Sequence, residues 1–326
     1  LGLEAGSKPE LHAVLAVNMN SDSLIVCNGY KDQDYIELAL LAQKMGKRIF
    51  IVVEKLNELE IITRIAKKIG VRPNMGIRIK LAASGSGKWE ESGGDASKFG
   101  LTSGELLAAL QYLDENEMKD CLKLIHFHIG SQILEMDDFV ALCHRVNELQ
   151  DILDANQIYV ENINVGGGLG IDYDAPSENP IPDFADYFAV YAKHLKLRPH
   201  QTLHFELGRA VVGQCGSLIS KVLYVKQGTN KQFAILDAGM TDLIRPALYQ
   251  AYHRIENITS DEAEETYDVV GPICESSDVF LKSVDLNKAH RGDLFALRSA
   301  GAYGEIMASR YNCRELPKGY TSDELV

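Results

Sequence analysis

The chain alternates between two hydrophobic patterns from its first residue to about residue 206. Short apolar runs, typical of buried strands, are each followed by a segment in which apolar residues recur every three or four positions, typical of amphipathic helices. The predicted strands cover 1–4, 23–27, 48–53, 75–80, 122–128, 159–165 and 202–206, and the predicted helices cover 8–17, 34–45, 56–69, 103–113, 137–155 and 184–194. This alternation predicts repeated βαβ units and a parallel sheet.

The number of predicted strands separates two fold classes. A closed (β/α)8 TIM barrel has eight strands, whereas this pattern contains seven. We therefore predict an α/β fold of the barrel type that lacks its first strand unit, which makes 202–206 the last barrel strand. An open, doubly wound sheet of seven strands is the alternative.

The pattern changes after Arg209. Short strand-like runs at 213–225, 233–237, 267–270 and 293–297 are separated by polar turns, and a single short helical pattern covers 243–253. We predict a barrel domain over 1–212 and a mostly β domain over 213–326.

A polar, glycine-rich loop covers 82–99, at the end of a predicted strand. Loops of this length and composition are typical of mobile lids or substrate contacts. Its Gly-Ser-Gly-Lys-Trp segment resembles a P-loop, but Trp89 stands where that motif requires a hydroxyl residue.

Composition excludes several classes of partner. The 326 residues carry a net charge of −13, which would repel nucleic acids and anionic membranes. No apolar run reaches the roughly 18 residues needed to span a bilayer. We therefore expect a globular protein that binds small molecules.

Cysteine usage indicates a reducing compartment. The six cysteines form no Cys-x-x-Cys pair, which favours free thiols in a cytoplasmic protein over a disulfide framework. They are Cys27, Cys121, Cys143, Cys215, Cys274 and Cys313. The chain begins Leu-Gly-Leu-Glu-Ala-Gly, without Met or a signal-peptide pattern, so we expect it to be part of a longer chain.

The stretch from Asn164 to Tyr173 contains the clearest candidate binding loop. It reads Asn-Val-Gly-Gly-Gly-Leu-Gly-Ile-Asp-Tyr, and three consecutive glycines leave backbone N–H groups open to an anion such as a phosphate. A dinucleotide fingerprint needs Gly or Ala where Ile171 stands. A glycine turn with a purely structural role is the alternative.

Two histidines on the strand 122–128 suggest a second kind of site. His126 and His128 lie on one face of that strand, as the His-x-His pairs of metal-dependent barrel hydrolases do. Such a site needs further ligands, for which His204 and Asp237 are the available candidates. The alternative is that the pair are ordinary core histidines, and this fits His126 better than His128.

A carboxylate ends the last predicted barrel strand. Glu206 is followed by Gly208 and Arg209, a second glycine turn with a cation. An acid beside such turns suits a phosphorylated heteroaromatic cofactor whose ring nitrogen stays protonated. Taken alone, Glu206 is equally typical of a structural ion pair.

Together these residues resemble a known family, the pyridoxal-phosphate decarboxylases of the alanine-racemase-like barrel fold. The resemblance covers nearly the whole chain and depends on five segments: His128 to Ser131, Gly166 to Gly168, Glu206 to Arg209, Cys274 with Glu275, and Ala302 with Tyr303. It implies a carboxy-lyase that uses pyridoxal 5'-phosphate.

The resemblance also implies a role for each residue. His128 would stack on the cofactor ring, and Glu206 would pair with its nitrogen. The phosphate would be held by Ser131, Gly166, Gly167, Gly168 and Gly208, with Arg209 and Tyr303 also at the cofactor. Cys274 would donate a proton to the carbanion left by decarboxylation, from the partner subunit of a head-to-tail homodimer. Its alternative is an ordinary buried cysteine.

The two halves of the chain resemble different members of the family. Residues 1–133 look like biosynthetic arginine decarboxylase, and residues from about 126 onward look like diaminopimelate decarboxylase. The substrate-binding residues implied by the second half are Arg209, Arg245, Tyr249, Glu275 and Tyr303. Paired arginines bind a carboxylate and repel a guanidinium, which favours diaminopimelate over arginine as the amino-acid substrate.

Two departures from the family pattern bear on activity. Ser277 stands where the family usually has Gly, and no segment matches the Tyr-x-x-Lys-x-Asn context of the lysine that binds the cofactor covalently. Lys8 and Lys80 are the nearest in type. We therefore expect this chain alone to bind the cofactor noncovalently at most, and a non-catalytic relative is a further alternative.

Overall fold

A computed structural model describes residues 1–80, 98–179 and 182–325. The predicted glycine-rich loop at 82–99 lies almost entirely outside the described residues. The chain divides into two compact units. Unit 1 comprises Leu1–Gly168 and Ala185–Leu207, and unit 2 comprises Leu169–Phe184 and Gly208–Val326. The predicted boundary between 212 and 213 stays a prediction.

Unit 1 is built on a parallel sheet. Among the described residues it has seven strands, which pair in the order of the sequence. They are β1 (Leu3–Ala5), β2 (Leu24–Cys27), β3 (Arg48–Val53), β4 (Met75–Arg78), β5 (Leu122–His126), β6 (Asn162–Asn164) and β7 (Thr202–His204). A doubly wound sheet reverses its order at a switch point, so that alternative was wrong. The predicted barrel-type order is confirmed.

Helices connect the strands of unit 1 and cover the sheet. They are α1 (Lys8–Ala16), α2 (Gln33–Lys44), α3 (Leu56–Ile69), α4 (Ser103–Glu115), α5 (Met136–Ala155) and α6 (Phe184–His194). Local sequence sets their ends: Ser7 accepts a hydrogen bond from the N–H of Glu10, and Thr102 and Glu105 form a capping box. Strand β3 is buried from Ile49 to Val53, as expected where helices cover a parallel sheet.

Unit 2 is mostly β, as predicted. Its sheet has six strands in the described residues, in the order β10-β13-β8-β9-β11-β12. They are β8 (Leu218–Gln227), β9 (Gln232–Leu236), β10 (Ile255–Asn257), β11 (Glu264–Val270), β12 (Val279–Asn287) and β13 (Leu294–Leu297), with short helices α7 (Arg209–Val212) and α8 (Arg245–Tyr249). The sequence pattern did not single out β10, which has only three residues, or β12, in which polar residues interrupt the apolar ones.

Each unit has a core of its own. In unit 2, the largest fully buried side chains, Tyr267 and Phe295, pack with aliphatic residues of β8, β9 and β11. In unit 1, Phe139 on α5 packs edge-on against Tyr187 on α6, with ring centroids 4.9 Å apart. No helix in the part of the chain described here is long and apolar enough to cross a membrane.

Candidate active site

The candidate site of unit 1 lies at the carboxyl ends of its strands. In the register of the sheet, Arg78 pairs with His126, His126 with Asn164, and Asn164 with His204. Glu206 follows β7 by two positions. The carboxyl ends of parallel strands meet at one edge, where barrel enzymes place their catalytic residues.

Glu206 is held by three side chains from other strand ends. Its Oε2 lies 2.9 Å from Nε2 of His126, and its Oε1 accepts hydrogen bonds from Nδ2 of Asn28 at 3.0 Å and of Asn164 at 2.9 Å. The Glu206 side chain is 17% exposed. Part of the carboxylate therefore stays open to a further partner.

These contacts keep Glu206 ionised. Burial by itself raises the pKa of the carboxyl, but the charge interaction and hydrogen bond with His126, and the hydrogen bonds from Asn28 and Asn164, outweigh it and lower the pKa to about 2. A permanently ionised carboxylate suits a protonated ring nitrogen.

His126, at the end of β5, and His128, just after it, have different surroundings. His126 is buried, and its Nε2 forms a hydrogen bond with the carboxylate of Glu206, as the interpretation of this residue as a core histidine allows. Its Nδ1 is buried and has no hydrogen-bond partner among the residues that the structure describes. Burial, together with the nearby charge of Arg78, lowers the pKa of His128 to about 4, so its ring is neutral near pH 7.

The glycine loop requires glycine because the backbone packs closely around it. A Cβ at Gly166 would lie 2.4 Å from the carbonyl oxygen of Phe127, one at Gly167 would lie 2.2 Å from that of Glu206, and one at Gly168 would lie 2.6 Å from that of Gly130. Gly166 and Gly168 also have positive φ. No side chain fits here.

Two of the loop amides have acceptors within the protein, which corrects the expectation of open N–H groups. The N–H of Gly166 donates to Oδ1 of Asn164 at 2.9 Å, and that of Gly167 donates to Nδ1 of His128 at 3.4 Å. Ser131 lies beside this loop, because the N–H of Ile133, two residues further along the chain, donates a hydrogen bond to the carbonyl of Gly168. Phosphate binding by these residues stays a prediction.

Unit 2 contains a cluster of two buried arginines and three tyrosines. Arg209 begins α7 and donates a hydrogen bond to the hydroxyl of Tyr173. Arg245 begins α8, and its guanidinium carbon lies 5.7 Å from the ring centre of Tyr249 and 6.0 Å from those of Tyr173 and Tyr303. Tyr173 is a member of this cluster that sequence reasoning did not single out.

Arg245 places a buried positive charge in this cluster. Burial lowers the pKa of Arg245, and the neighbouring Arg209 lowers it further. Nε of Arg245 is buried without a partner, and Arg245 forms no ion pair with a carboxylate of the described residues. Buried charge of this kind requires a counter-ion. A bound carboxylate would supply it.

Cys274 and Glu275 lie elsewhere in unit 2, in the exposed loop between β11 and β12. Glu275 contacts Tyr311 rather than the arginines. No His, Cys, Asp or Glu group in the described part of the chain has three members placed to hold a metal ion. His204 instead hydrogen-bonds Asn162, and Asp237 accepts from Ser220.

Comparison with known proteins identifies the family. Residues 1–213 match the family described as "Pyridoxal-dependent decarboxylase, pyridoxal binding domain". The chain belongs to this family of pyridoxal-dependent decarboxylases. The resemblance inferred from the sequence motifs is thereby confirmed.

Two curated relatives bear on which decarboxylase the chain resembles. The diaminopimelate decarboxylase of Bacteroides thetaiotaomicron is 58% identical over 328 residues, which cover 100% of this chain and 83% of that protein. The biosynthetic arginine decarboxylase of Phocaeicola vulgatus is 56% identical over 234 residues, which cover 68% of this chain and 37% of that protein. Both parts of the chain therefore match one diaminopimelate decarboxylase.

Solved structures of pyridoxal-dependent decarboxylases have the same fold. Diaminopimelate decarboxylase from Helicobacter pylori, complexed with L-lysine, is 34% identical with a TM-score of 0.84, covering 97% of this chain and 77% of that one. Diaminopimelate decarboxylase from M. jannaschii is 32% identical with a TM-score of 0.85. The match covers 97% of this chain and 73% of that one. These likenesses confirm the barrel-type unit followed by a β-rich unit.

The residues of unit 1 fit the cofactor of a pyridoxal-dependent decarboxylase. The ionised Glu206 suits a protonated pyridine nitrogen, and the neutral ring of His128 suits stacking on an aromatic ring. The glycine loop packs tightly against the backbone of Phe127, Gly130 and Glu206, which fixes its position beside these two side chains. Pyridoxal 5'-phosphate is the cofactor that this set of groups accommodates.

Proposed function

We propose that this decarboxylase acts on meso-diaminopimelate and releases L-lysine and carbon dioxide. The observation that carries the proposal is the arginine pair of unit 2, because the buried guanidinium groups of Arg209 and Arg245 are close neighbours, and paired guanidinium groups favour an acidic ligand. Diaminopimelate has a second carboxylate at its distal end. Arginine has a guanidinium there, which the pair would repel.

The cofactor provides the chemistry of bond cleavage. When bound, pyridoxal phosphate supplies a conjugated cation that accepts the electron pair of the breaking carbon–carbon bond. Glu206 keeps the ring nitrogen protonated, since its pKa of about 2 leaves it ionised. His126, Asn28 and Asn164 hold that carboxylate in place through hydrogen bonds.

Other residues of this chain orient the two ligands. His128 would stack on the cofactor ring, and Ser131 with the glycines 166 to 168 and 208 would hold its phosphate. In unit 2, Arg209 and Arg245 bind the distal carboxylate in charge-assisted hydrogen bonds, and Tyr249 and Tyr303 line that position. Glu275 would accept a hydrogen bond from the distal ammonium group, and Cys274 would donate a proton to the carbon from which carbon dioxide has left.

We also propose that the active form is a head-to-tail homodimer. Cys274 and Glu275 are exposed in the single chain, which leaves both side chains available to the active site of a partner subunit. All six cysteines are free, which is consistent with the cytoplasmic location expected from sequence.

One competition assay tests the substrate. The protein, kept saturated with noncovalently bound pyridoxal phosphate by excess cofactor in solution, is offered meso-diaminopimelate and L-arginine in equal amounts, and the amines are separated by chromatography. We expect lysine without agmatine. Arg245→Met removes one guanidinium and should abolish the preference, whereas Arg291→Met, at an exposed position over Tyr224, should leave it unchanged.

Arginine decarboxylation is the second candidate, because a relative with that activity in its name is 56% identical over the part it matches. Agmatine as the main product would favour this candidate. Neither product, with the cofactor bound, would indicate a non-catalytic relative.

A further inference from the structure

The loop that carries Cys274 and Glu275 is rigidly built around one buried carboxylate. Asp278 is 3% exposed, and it accepts hydrogen bonds from the N–H of Ile273 at 2.7 Å and of Met240 at 2.6 Å. A Cβ at Gly271 would lie 2.3 Å from this carboxylate. The loop backbone therefore places Glu275 at a defined position.

The side chain of Glu275 has one neighbour that defines its direction. The hydroxyl of Tyr311 donates to Oε1 of Glu275 at 2.5 Å. Glu275 forms no ion pair with a cation in the described ranges. The hydrogen bond with Glu275 raises the pKa of Tyr311, so the tyrosine hydroxyl keeps its proton and remains the donor.

The turn that presents Tyr311 is strained. Asn312 has φ of 54° and Cys313 has φ of 56°, values that residues with a side chain seldom adopt. Arg314 anchors the turn, since it donates to the carbonyl of Asp237 and lies 3.8 Å from the carboxylate of Asp242. Strain that is maintained by surrounding contacts is typical of functional positions.

We infer that Tyr311 is a positioning residue for substrate recognition. By occupying Oε1 of Glu275, it turns the other carboxylate oxygen toward the distal ammonium group of the substrate. This inference rests on the proposed function and deepens it. A purely structural role, in which Tyr311 fastens the turn to the loop, is the competing explanation, and it predicts no dependence on the ammonium group.

The test compares two ligands that differ in that group. The full chain, saturated with pyridoxal phosphate, is titrated calorimetrically with meso-diaminopimelate and with 2-aminopimelate, which has the distal carboxylate but no distal ammonium. We expect Tyr311→Phe to weaken meso-diaminopimelate binding about tenfold, as loss of a hydrogen bond to a charged group does, and to leave 2-aminopimelate unchanged.

Control variants separate positioning from folding. Tyr320→Phe, another exposed tyrosine of the same unit, should leave both affinities unchanged. Glu275→Gln should reproduce the selective loss, and adding Tyr311→Phe to it should cause no further loss, because the carboxylate to be positioned is gone. Thermal unfolding confirms that the variants remain folded.

Each remaining outcome counts against a specific claim. Equal weakening of both ligands by Tyr311→Phe, or no weakening of either, would overturn the inference while the proposed function stands. Additive losses in the double variant would overturn it as well. Failure of the wild-type chain to bind meso-diaminopimelate would overturn the proposed function and this inference together.

Discussion

His126 and Glu206 hydrogen-bond at 2.9 Å although they are far apart in the sequence. The sheet brings them together, because His126 ends β5 and Glu206 lies just beyond β7. The contact gives a buried histidine a partner and removes much of the freedom of a carboxylate that the proposed chemistry needs ionised. A change at Glu206 should therefore affect both activity and stability.

Glu206→Gln should reduce kcat by on the order of 100-fold to 1,000-fold, a magnitude seen when one preorganised electrostatic contact is removed from an active site. The amide cannot hold a ring nitrogen protonated. Steady-state rates with meso-diaminopimelate measure the effect. Glu305→Gln, at an exposed position in unit 2, is the matched control. An active Glu206→Gln enzyme would show that the ring nitrogen is not held this way.

Stability should fall in mildly acidic solution because of His128. Its pKa is about 4 in the folded protein against 6.5 for an unperturbed histidine, so the unfolded chain binds the proton more tightly. The contribution of neutral His128 to the free energy of unfolding is present in full above pH 6.5. It is lost as the pH falls toward 4, and the loss is at most about 3 kcal/mol.

Urea unfolding at pH 7, 5.5 and 4 measures this loss. His128→Gln should lose less stability over the same interval, whereas His290→Gln, at an exposed histidine, should behave like the wild type. Parallel curves for His128→Gln and the wild type would contradict the prediction. Below pH 4.5 the depressed pKa of Glu206 adds a second loss, since that carboxylate stabilises the fold when ionised.

Gly167→Ala should destabilise unit 1 and weaken cofactor binding. The new Cβ would lie 2.2 Å from the carbonyl oxygen of Glu206, and overpacking of this kind costs about 1–3 kcal/mol. Chemical denaturation and pyridoxal-phosphate titration measure the two effects. Gly104→Ala is the control, because a Cβ there meets nothing within 4 Å and alanine favours the helix α4. Equal behaviour of the two variants would contradict close packing at the loop.

Borohydride reduction in the presence of pyridoxal phosphate should label no single lysine stoichiometrically. The 326 residues contain no Tyr-x-x-Lys-x-Asn segment. Lys31 is buried near the strand ends, but its Nζ donates to the carbonyl of Gly29 and lies 3.6 Å from Glu58. Mass spectrometry of peptides from the reduced protein reads out the labelling. One fully labelled lysine would show that the chain carries its own covalent attachment point.

Much of the fold was predictable because the relevant signals are local. Helix α3 and strand β3 have the predicted bounds. The hydrophobic periodicity of each element, and Gly70 at the end of α3, are features of residues close together in the sequence. Strand β5 ends at His126 rather than at the predicted 128, and β6 is confined to Asn162–Asn164. At both strands the chain leaves the sheet early, where it turns into the candidate site.

The sequence by itself determined the order of the elements, the family and the identity of the acid, because glycine turns, hydrophobic periods and short motifs are properties of neighbouring residues. Only the tertiary structure decided what surrounds that acid: Asn28, His126 and Asn164 reach Glu206 from three different strand ends. The pairing of Glu275 with Tyr311 is likewise tertiary. Hydrogen bonds form between groups that folding brings within about 3 Å, and no sequence spacing specifies that distance.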